Sequence, residues 1–540
     1  MKTRNLIICL LCLAPIAFGQ GLDEKKLLSP PSDTWGMYNG NYTARRYSTL
    51  KEINDSDVQD VSLAWTARIT GGTPTVSTSA FGGGEGTVRV GGSPLMVNGV
   101  LYFTANDNAW AVDARDGHVL WHYYRESTGD APRTANKGLG MYHNWLYFMT
   151  RDNFIVSLDA TTGKQRWILP VSDPKQFYFS TMAPIVIGDH VIIGTGGDSL
   201  DLSGFLQARD PETGEVQWTT YSTPRAGQPG IDTWPNTYAS EHGGGGPWVQ
   251  GSYDPTLNLY FYGTANPNPV YAPKSRAGAN LFTSSILAVN PDTGKMAWYF
   301  QASPHDTHDW DAACDVVMID GTIDGKPRKL VAQASRNGYF FVLDRTNGKP
   351  VVSVPFVDTL NWSEGVGKNG EPIPNPDKAP SLGGTLVWPS SGSATNWPPP
   401  TYSPQTGLFY VGTGEGYGIF YLSDTDDHPE GYGGIESAQG IGGPASIKAL
   451  DYRTGKVIWR HEWPAGGGAV GMLSTAGNLL FTSNGDTLVA FNATTGKILW
   501  HSILQNTPNA PITYELDGKQ YVFVAAGDTL YAFVLNRPAK

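Results

Sequence analysis

Four stretches of this chain carry more reactive side chains than strands and turns require. The densest is SPHDTHDWDAACD at 303–315, where four carboxylates and two imidazoles fall within thirteen residues around Trp310. Charges so close together are costly to bury unless they face water, a metal or a reacting group. Asp311 stands out, because a carboxylate beside a cation can stay ionised and accept a proton from a substrate hydroxyl. His305 and His308 are at i, i+3 with no helical pattern around them, a weak arrangement for zinc. A solvated acidic loop would have the same composition.

The second stretch, EHGGGGPWVQGSYDPTLNLYFYGTANPNP at 241–269, sets four glycines before Trp248. Glycine lets backbone approach a flat group closely, and an indole there is a platform for a planar ring or simply a core plug. Asn266 lies in an Asn-Pro-Asn-Pro turn that could turn its amide oxygen toward a hard cation, although turn formation alone also favours Asn before Pro. The third stretch, 330–348, puts Arg336 between two strands, where a guanidinium can fork onto a carboxylate or carbonyl. In the fourth, 388–414, Asn396 and Trp397 precede three prolines that stiffen the loop.

A repeated element must hold these stretches in place. Seven times the chain writes an apolar residue, Asp or Asn, a turn ending in Gly, and then usually Trp four residues on: VDARDGHVLW (112–121), LDATTGKQRW (158–167), RDPETGEVQW (209–218), VNPDTGKMAW (289–298), LDRTNGKPVV (343–352), LDYRTGKVIW (450–459) and FNATTGKILW (491–500). Each phrase reads as a hairpin with Gly in the left-handed position. The Trp121–Trp167, Trp167–Trp218 and Trp459–Trp500 intervals of 46, 51 and 41 residues are the length of a four-stranded propeller blade. Longer intervals predict an insertion after Trp218, and an insertion plus a degenerate blade between the fifth and sixth copies. A further unit at LAWTAR (63–68) brings the expectation to about eight blades in one all-β domain over 20–540, with DTLYAFVL (528–535) closing the ring.

Sixty-five glycines and 38 prolines suit such a turn-rich chain, and a net charge of −11 disfavours nucleic acid or an anionic membrane as partner. Residues 1–19 have the layout of a secretory signal, with two basic residues, an apolar stretch and a small-x-small end. That stretch is too short to span a bilayer, and no other segment reads as transmembrane. Cys12 lacks the preceding small residue of a lipoprotein signal. Cleavage would leave Cys314 alone, and no CxxCH occurs for covalent haem. The expected location is the periplasm.

Strings such as SYDPTLNLYFYGTANPNP, PHDTHDWDA, RNGYFFVLDRTNGK and TNWPPPTYSPQTGLFYVGTG resemble the pyrroloquinoline quinone (PQQ)-dependent alcohol dehydrogenases, the methanol/ethanol dehydrogenase family of eight-bladed propellers, over essentially the whole mature chain. The resemblance makes Trp248 the floor on which the quinone stacks, Asn266 a calcium ligand, Asp311 the catalytic base beside the metal and Arg336 a donor to the quinone oxygens. Asn396, and Thr181 in FSTMAP, match positions that hydrogen-bond the cofactor. Lys137 falls where relatives place an Arg that pairs with a cofactor carboxylate.

The departures are equally specific. The adjacent cysteines that cover the quinone in relatives are replaced within STGDAPRTANKG at 127–138. The calcium-binding Glu falls at Ser199, with Asp198 and Asp201 on either side as substitutes, and a Glu at the cofactor's rim falls at Gly91. The Asp that marks lanthanide-dependent members, two residues after the base, is Ala313, which favours calcium. The resemblance therefore implies oxidation of an alcohol by PQQ and Ca²⁺, with electrons passed to a separate soluble c-type cytochrome or another periplasmic acceptor. The alternatives are a relative impaired in cofactor binding and a cofactor-free propeller serving as a protein-binding scaffold.

Overall fold

The structure, a computed structural model, describes residues 21–69, 88–127, 136–176, 178–196, 201–392, 394–426, 431–437, 443–463 and 470–536. Among the described residues, seven four-stranded sheets and one of five strands follow one another along the chain, accompanied by a two-stranded and a three-stranded sheet. The first, Leu95–Val97, Val100–Ala105, Asn108–Asp113 and Val119–Tyr124, is an antiparallel meander and sets the pattern. Its second strand is buried along its whole length, whereas its fourth alternates exposed and half-buried residues. That two-residue alternation turns Trp121 and Tyr123 toward the next sheet and their neighbours toward solvent.

The repeated phrase acquires a physical reason here. In the second copy the turn closes with Gly163 N–H donating to the Asp159 carbonyl at 2.8 Å, while the Asp159 carboxylate accepts from the Thr162 amide and hydroxyl. Gly163 has φ +68°, and a Cβ built on it would lie 2.6 Å from the Trp121 ring of the preceding sheet. Both the left-handed backbone and the indole lying flat on the turn demand glycine. The indole N–H then donates to the carbonyl that follows the Asp or Asn: Trp121 to Ala160 (2.8 Å), Trp218 to Pro291 (2.7 Å), Trp298 to Arg345 (3.0 Å) and Trp459 to Ala493 (3.0 Å). Trp167 is the exception, its N–H buried without a partner while the Pro211 carbonyl takes the Tyr147 hydroxyl and Arg166. A bulge within each of these strands, just before the Trp, sets the Trp opposite a small residue, as Ala111 opposite Trp121 and Ala288 opposite Trp298.

Two expectations change. LAWTAR does not start a unit of its own, because strand Val61–Arg68 pairs antiparallel with Thr529–Leu535 and completes the last sheet. Trp500 then donates to Val61 and Trp65 to Ala114, which closes the ring as the DTLYAFVL reading expects. Between the fifth and sixth copies there is no degenerate blade among the described residues. Hairpin Ser363–Val366/Pro372–Pro374 and the sheet Thr385–Val387, Gly418–Leu422, Gly434–Ser437 are excursions, and the sixth copy belongs to the four-stranded sheet Thr401–Ser403, Leu408–Gly414, Ala445–Asp451, Val457–Trp463. The result is an all-β propeller, and no helix of the described residues is long and apolar enough to cross a membrane.

Candidate functional site

The glycine run before Trp248 serves backbone rather than ligand. A Cβ on Gly204 would lie 2.3 Å from the Gly246 Cα, and the run zips against 265–268 through Gly245 N–H to Asn266 O (3.0 Å) and Ala265 N–H to Gly246 O (3.1 Å). This close packing delivers Trp248 half-buried, its indole N–H donating to Asp311 Oδ2 at 2.8 Å.

Asp311 is the hub. Its Oδ2 also accepts from Arg336 Nη1 at 2.7 Å, and its Oδ1 accepts the Asn266 amide N–H at 2.7 Å. The loop that carries it is folded around buried Asp306, whose carboxylate accepts the His308 and Trp310 amides; burial pushes that carboxyl up to about 6. Arg336 is 4% exposed and makes two further bonds, Nη2 to Asp309 Oδ2 (3.2 Å) and Nε to the Ser391 carbonyl (2.9 Å). Burial opposes its charge, yet Asp311 and then Asp309 outweigh this and hold it above the ordinary arginine value. Asn266 is 1% exposed, with its amide oxygen unpartnered and its NH₂ on Pro267 O. A buried acceptor left open beside a carboxylate is the donor chemistry of a hard cation site.

Lys137 Nζ lies over the Trp248 ring, 4.5 Å from its centroid, and 5.2 Å from that of Trp397, a cation over two aromatic rings. It donates to Thr181 Oγ1 at 2.7 Å, and that hydroxyl in turn donates to Trp248 O at 3.2 Å. Asn396 is next to Trp397 and accepts its amide N–H at 2.8 Å. Burial pulls Lys137 down to about 7, with Asp315 opposing. Asp315, the last carboxylate of the acidic loop, is 1% exposed; it accepts from Asn39, keeps Oδ2 unpartnered, and is pushed by burial up to about 7 despite Arg46 and Lys137.

The structure thus brings together Trp248, Asn266, Asp311 and Arg336; Lys137 lies over the same indole, Thr181 bonds the Trp248 carbonyl, and Trp397, beside Asn396, is linked to them through Lys137. Asp198 and Ser199 lie outside the described residues, as does most of the segment that replaces the cysteine lid. Asp201 accepts from the Gly431 amide, and a Cβ on Gly91 would meet nothing within 4 Å. The histidines are structural: His305 Nδ1 faces Gly278 O at 2.6 Å, and His308 bonds Lys378 O and Thr307 while stacking on Trp310. Among the described residues no three His, Cys, Asp or Glu side chains converge on a metal-sized point, so a cation here needs the Asn266 oxygen and further donors. Sequence reasoning missed Asp309, Asp315, Ser391 and Glu436. The first two lay within the quoted acidic loop and Ser391 within the quoted 388–414 stretch, while nothing local marked Glu436.

The family profile described as "Glucose/ethanol/alcohol dehydrogenase, beta-propeller domain" matches residues 35–359, and that of "Outer membrane protein assembly factor BamB" matches 444–536. Quinoprotein alcohol dehydrogenase PedH of Pseudomonas putida is 35% identical over 97% of this chain and 91% of its own length. The lanthanide-dependent methanol dehydrogenase of Methylacidiphilum fumariolicum is 31% identical over 97% and 90%. Among solved structures, the quinohemoprotein alcohol dehydrogenase of Comamonas testosteroni superposes with a TM-score of 0.84 at 30% identity, covering 96% of this chain and 83% of its own. A europium-containing methanol dehydrogenase gives 0.83 at 28%, covering 95% and 99%. The first profile spans Lys137, Thr181, Trp248, Asn266, Asp311 and Arg336, and with relatives this similar along nearly the whole chain, the protein belongs to the PQQ-dependent quinoprotein alcohol dehydrogenase family.

Proposed function

We propose that the chain is an eight-bladed, periplasmic PQQ-dependent alcohol dehydrogenase that oxidises an alcohol to an aldehyde or ketone. The observation that carries this is the single carboxylate of Asp311 receiving N–H groups from Trp248, Asn266 and Arg336 beside an unpartnered Asn266 oxygen. Bound here, PQQ would supply a hydride acceptor for the alcohol carbon and a metal ion would supply Lewis acidity. The residues fit that group. Trp248 would offer an aromatic face; Lys137, Thr181 and Asn396 would supply polar contacts; Asn266 and Asp311 would offer oxygens to the metal, with Asp198, outside the described residues, proposed as a third donor.

The sequence reading gives Asp311 both the metal and the proton, whereas the geometry favours dividing them. Asp311 already accepts three N–H groups and its side chain is 4% exposed, which suits holding a cation in place. The Asp309 side chain, on another nitrogen of the same guanidinium, is 16% exposed and better placed to take the hydroxyl proton from an entering alcohol. Arg336 holds both carboxylates and offers N–H groups to charge developing next to them. Electrons leave to a separate soluble c-type cytochrome or another periplasmic acceptor, residues 1–19 serving as the export signal.

Calcium is the first choice for the metal. A second reading, a trivalent lanthanide, is favoured by one observation: two carboxylates, Asp309 and Asp311, converge on Arg336, and the second of them would supply the extra anionic oxygen that position 313 lacks.

Purified protein reconstituted with PQQ and either Ca²⁺ or La³⁺ is expected to reduce an artificial electron acceptor when alcohols are added. Uptake of no cofactor and no dye reduction with either metal would sink the reading. Asp311→Asn should weaken metal retention, and Asp309→Asn should lower turnover with metal retained; the reverse pattern returns the base to Asp311.

A further inference from the structure

Arg336 is aimed by more than the two carboxylates it touches. Its Nε donates to the Ser391 carbonyl at 2.9 Å, and both polar hydrogens of Ser391 are taken by one side chain, Glu436: the amide reaches Oε1 at 3.0 Å and the hydroxyl makes a short bond to Oε2. Glu436 comes from strand Gly434–Ser437 of the three-stranded excursion, a segment a hundred residues from Arg336 and outside the repeat rhythm. It pairs with Phe420, which packs edge-on against His308 and Trp310 of the acidic loop. Its carboxylate is seated against Gly418, where a Cβ would lie 2.1 Å from Oε1.

We propose that Glu436 is a positioning residue for the reaction: by clamping Ser391 at two points it fixes the carbonyl that orients the Arg336 guanidinium between Asp309 and Asp311. A carboxylate accepting two hydrogens in parallel defines an angle as well as a distance, which a single neutral bond does not. A guanidinium is planar, so holding Nε fixes the directions of all its N–H groups. The excursion sheet is thereby coupled to the centre, and the surface sheet sets the aim of the buried Arg336. This role rests on the alcohol-dehydrogenase reading.

The test compares wild type with Glu436→Gln, which keeps size but removes the second acceptor oxygen, and with Gly418→Ala, which displaces the carboxylate without removing its charge. Leu386→Ser, exposed on the same sheet, controls for general damage. In the reconstituted protein kcat should fall about ten- to hundredfold in both test variants, with KM changing far less, as expected when a group is misaimed rather than lost. The absorption band of the bound cofactor should shift and its affinity, read by quenching of tryptophan fluorescence, should weaken, while Tm stays that of wild type. Wild-type kcat and absorption band in Glu436→Gln would overturn the role, as would a loss that tracks a fall in Tm. A wild type that takes up no cofactor would sink the function, and this role with it.

Discussion

The rim and the hub of this ring are built on opposite plans. At the rim, the indoles of Trp121, Trp218, Trp298 and Trp459 lie on the turn of the following copy, so apart from the ring closure by Trp500 the contact is made by residues about one repeat apart and recurs from sheet to sheet. At the hub, Lys137, Thr181, Trp248, Asn266, Asp311, Arg336, Ser391 and Glu436 each occur once and come from separate sheets and loops. Redundant contacts tolerate the loss of one member. A network with one copy of each part does not, because a buried charge that loses its partner leaves the others unpaired.

The largest effect should follow Arg336→Ala. Two carboxylates, one of them almost fully buried, would lose their shared cation, which costs about 3–5 kcal/mol of stability and about a hundredfold or more in kcat; denaturant unfolding and dye-linked turnover report the two. A variant with both near wild type would place the hub's strength elsewhere. At the rim, Gly163→Ala forces a left-handed residue and a methyl group 2.6 Å from Trp121. It should cost about 2 kcal/mol or more of stability and lower Tm, yet leave turnover per folded molecule unchanged. A matching fall in turnover would show that rim and hub are coupled.

The third prediction concerns pH. Asp315, faced by Asn39, Arg46, Lys137 and Tyr38, is raised from 3.8 to about 7, so the folded state holds a proton that the unfolded state has released. Its contribution to stability is present below about pH 4 and lost as pH rises toward 7. Lys137 is lowered from 10.5 to about 7, so its contribution is present above 10.5 and lost as pH falls to 7. Urea unfolding at several pH values should show the stability of wild type minus Asp315→Asn declining from pH 4 to 7; a flat difference would refute the buried acid. The smallest effect separates two rim positions. Trp121→Phe loses a 2.8 Å bond and should cost about 1 kcal/mol more than Trp167→Phe, whose indole N–H has no partner to lose.

How much of this was legible depended on distance along the chain. The hairpin phrase carries its own reasons, since Asp159, Thr162 and Gly163 satisfy one another within five residues, and the ring follows from repetition. LAWTAR misled because its Trp matches the repeat while its strand partner, Thr529–Leu535, lies at the other end of the chain. The degenerate blade expected after the fifth copy was an excursion whose length looks like a blade and whose pairing does not.

In the site, residue types drew attention to Asp311, Trp248, Asn266 and Arg336 but left a solvated loop or a core plug open, and the family resemblance gave them roles; their burial is a tertiary fact. Position in the chain could not divide the four carboxylates of 303–315 among their tasks. Asp306 ties the loop, Asp309 and Asp311 meet Arg336, and Asp315 lies with Asn39, only because the loop coils in three dimensions. The sequence by itself determined the periodic part of the protein, where each interaction is local or one repeat away. Tertiary structure decided which carboxylate faces which cation and that Glu436 stands behind Arg336, because those choices depend on distances between segments that only the closed ring brings together.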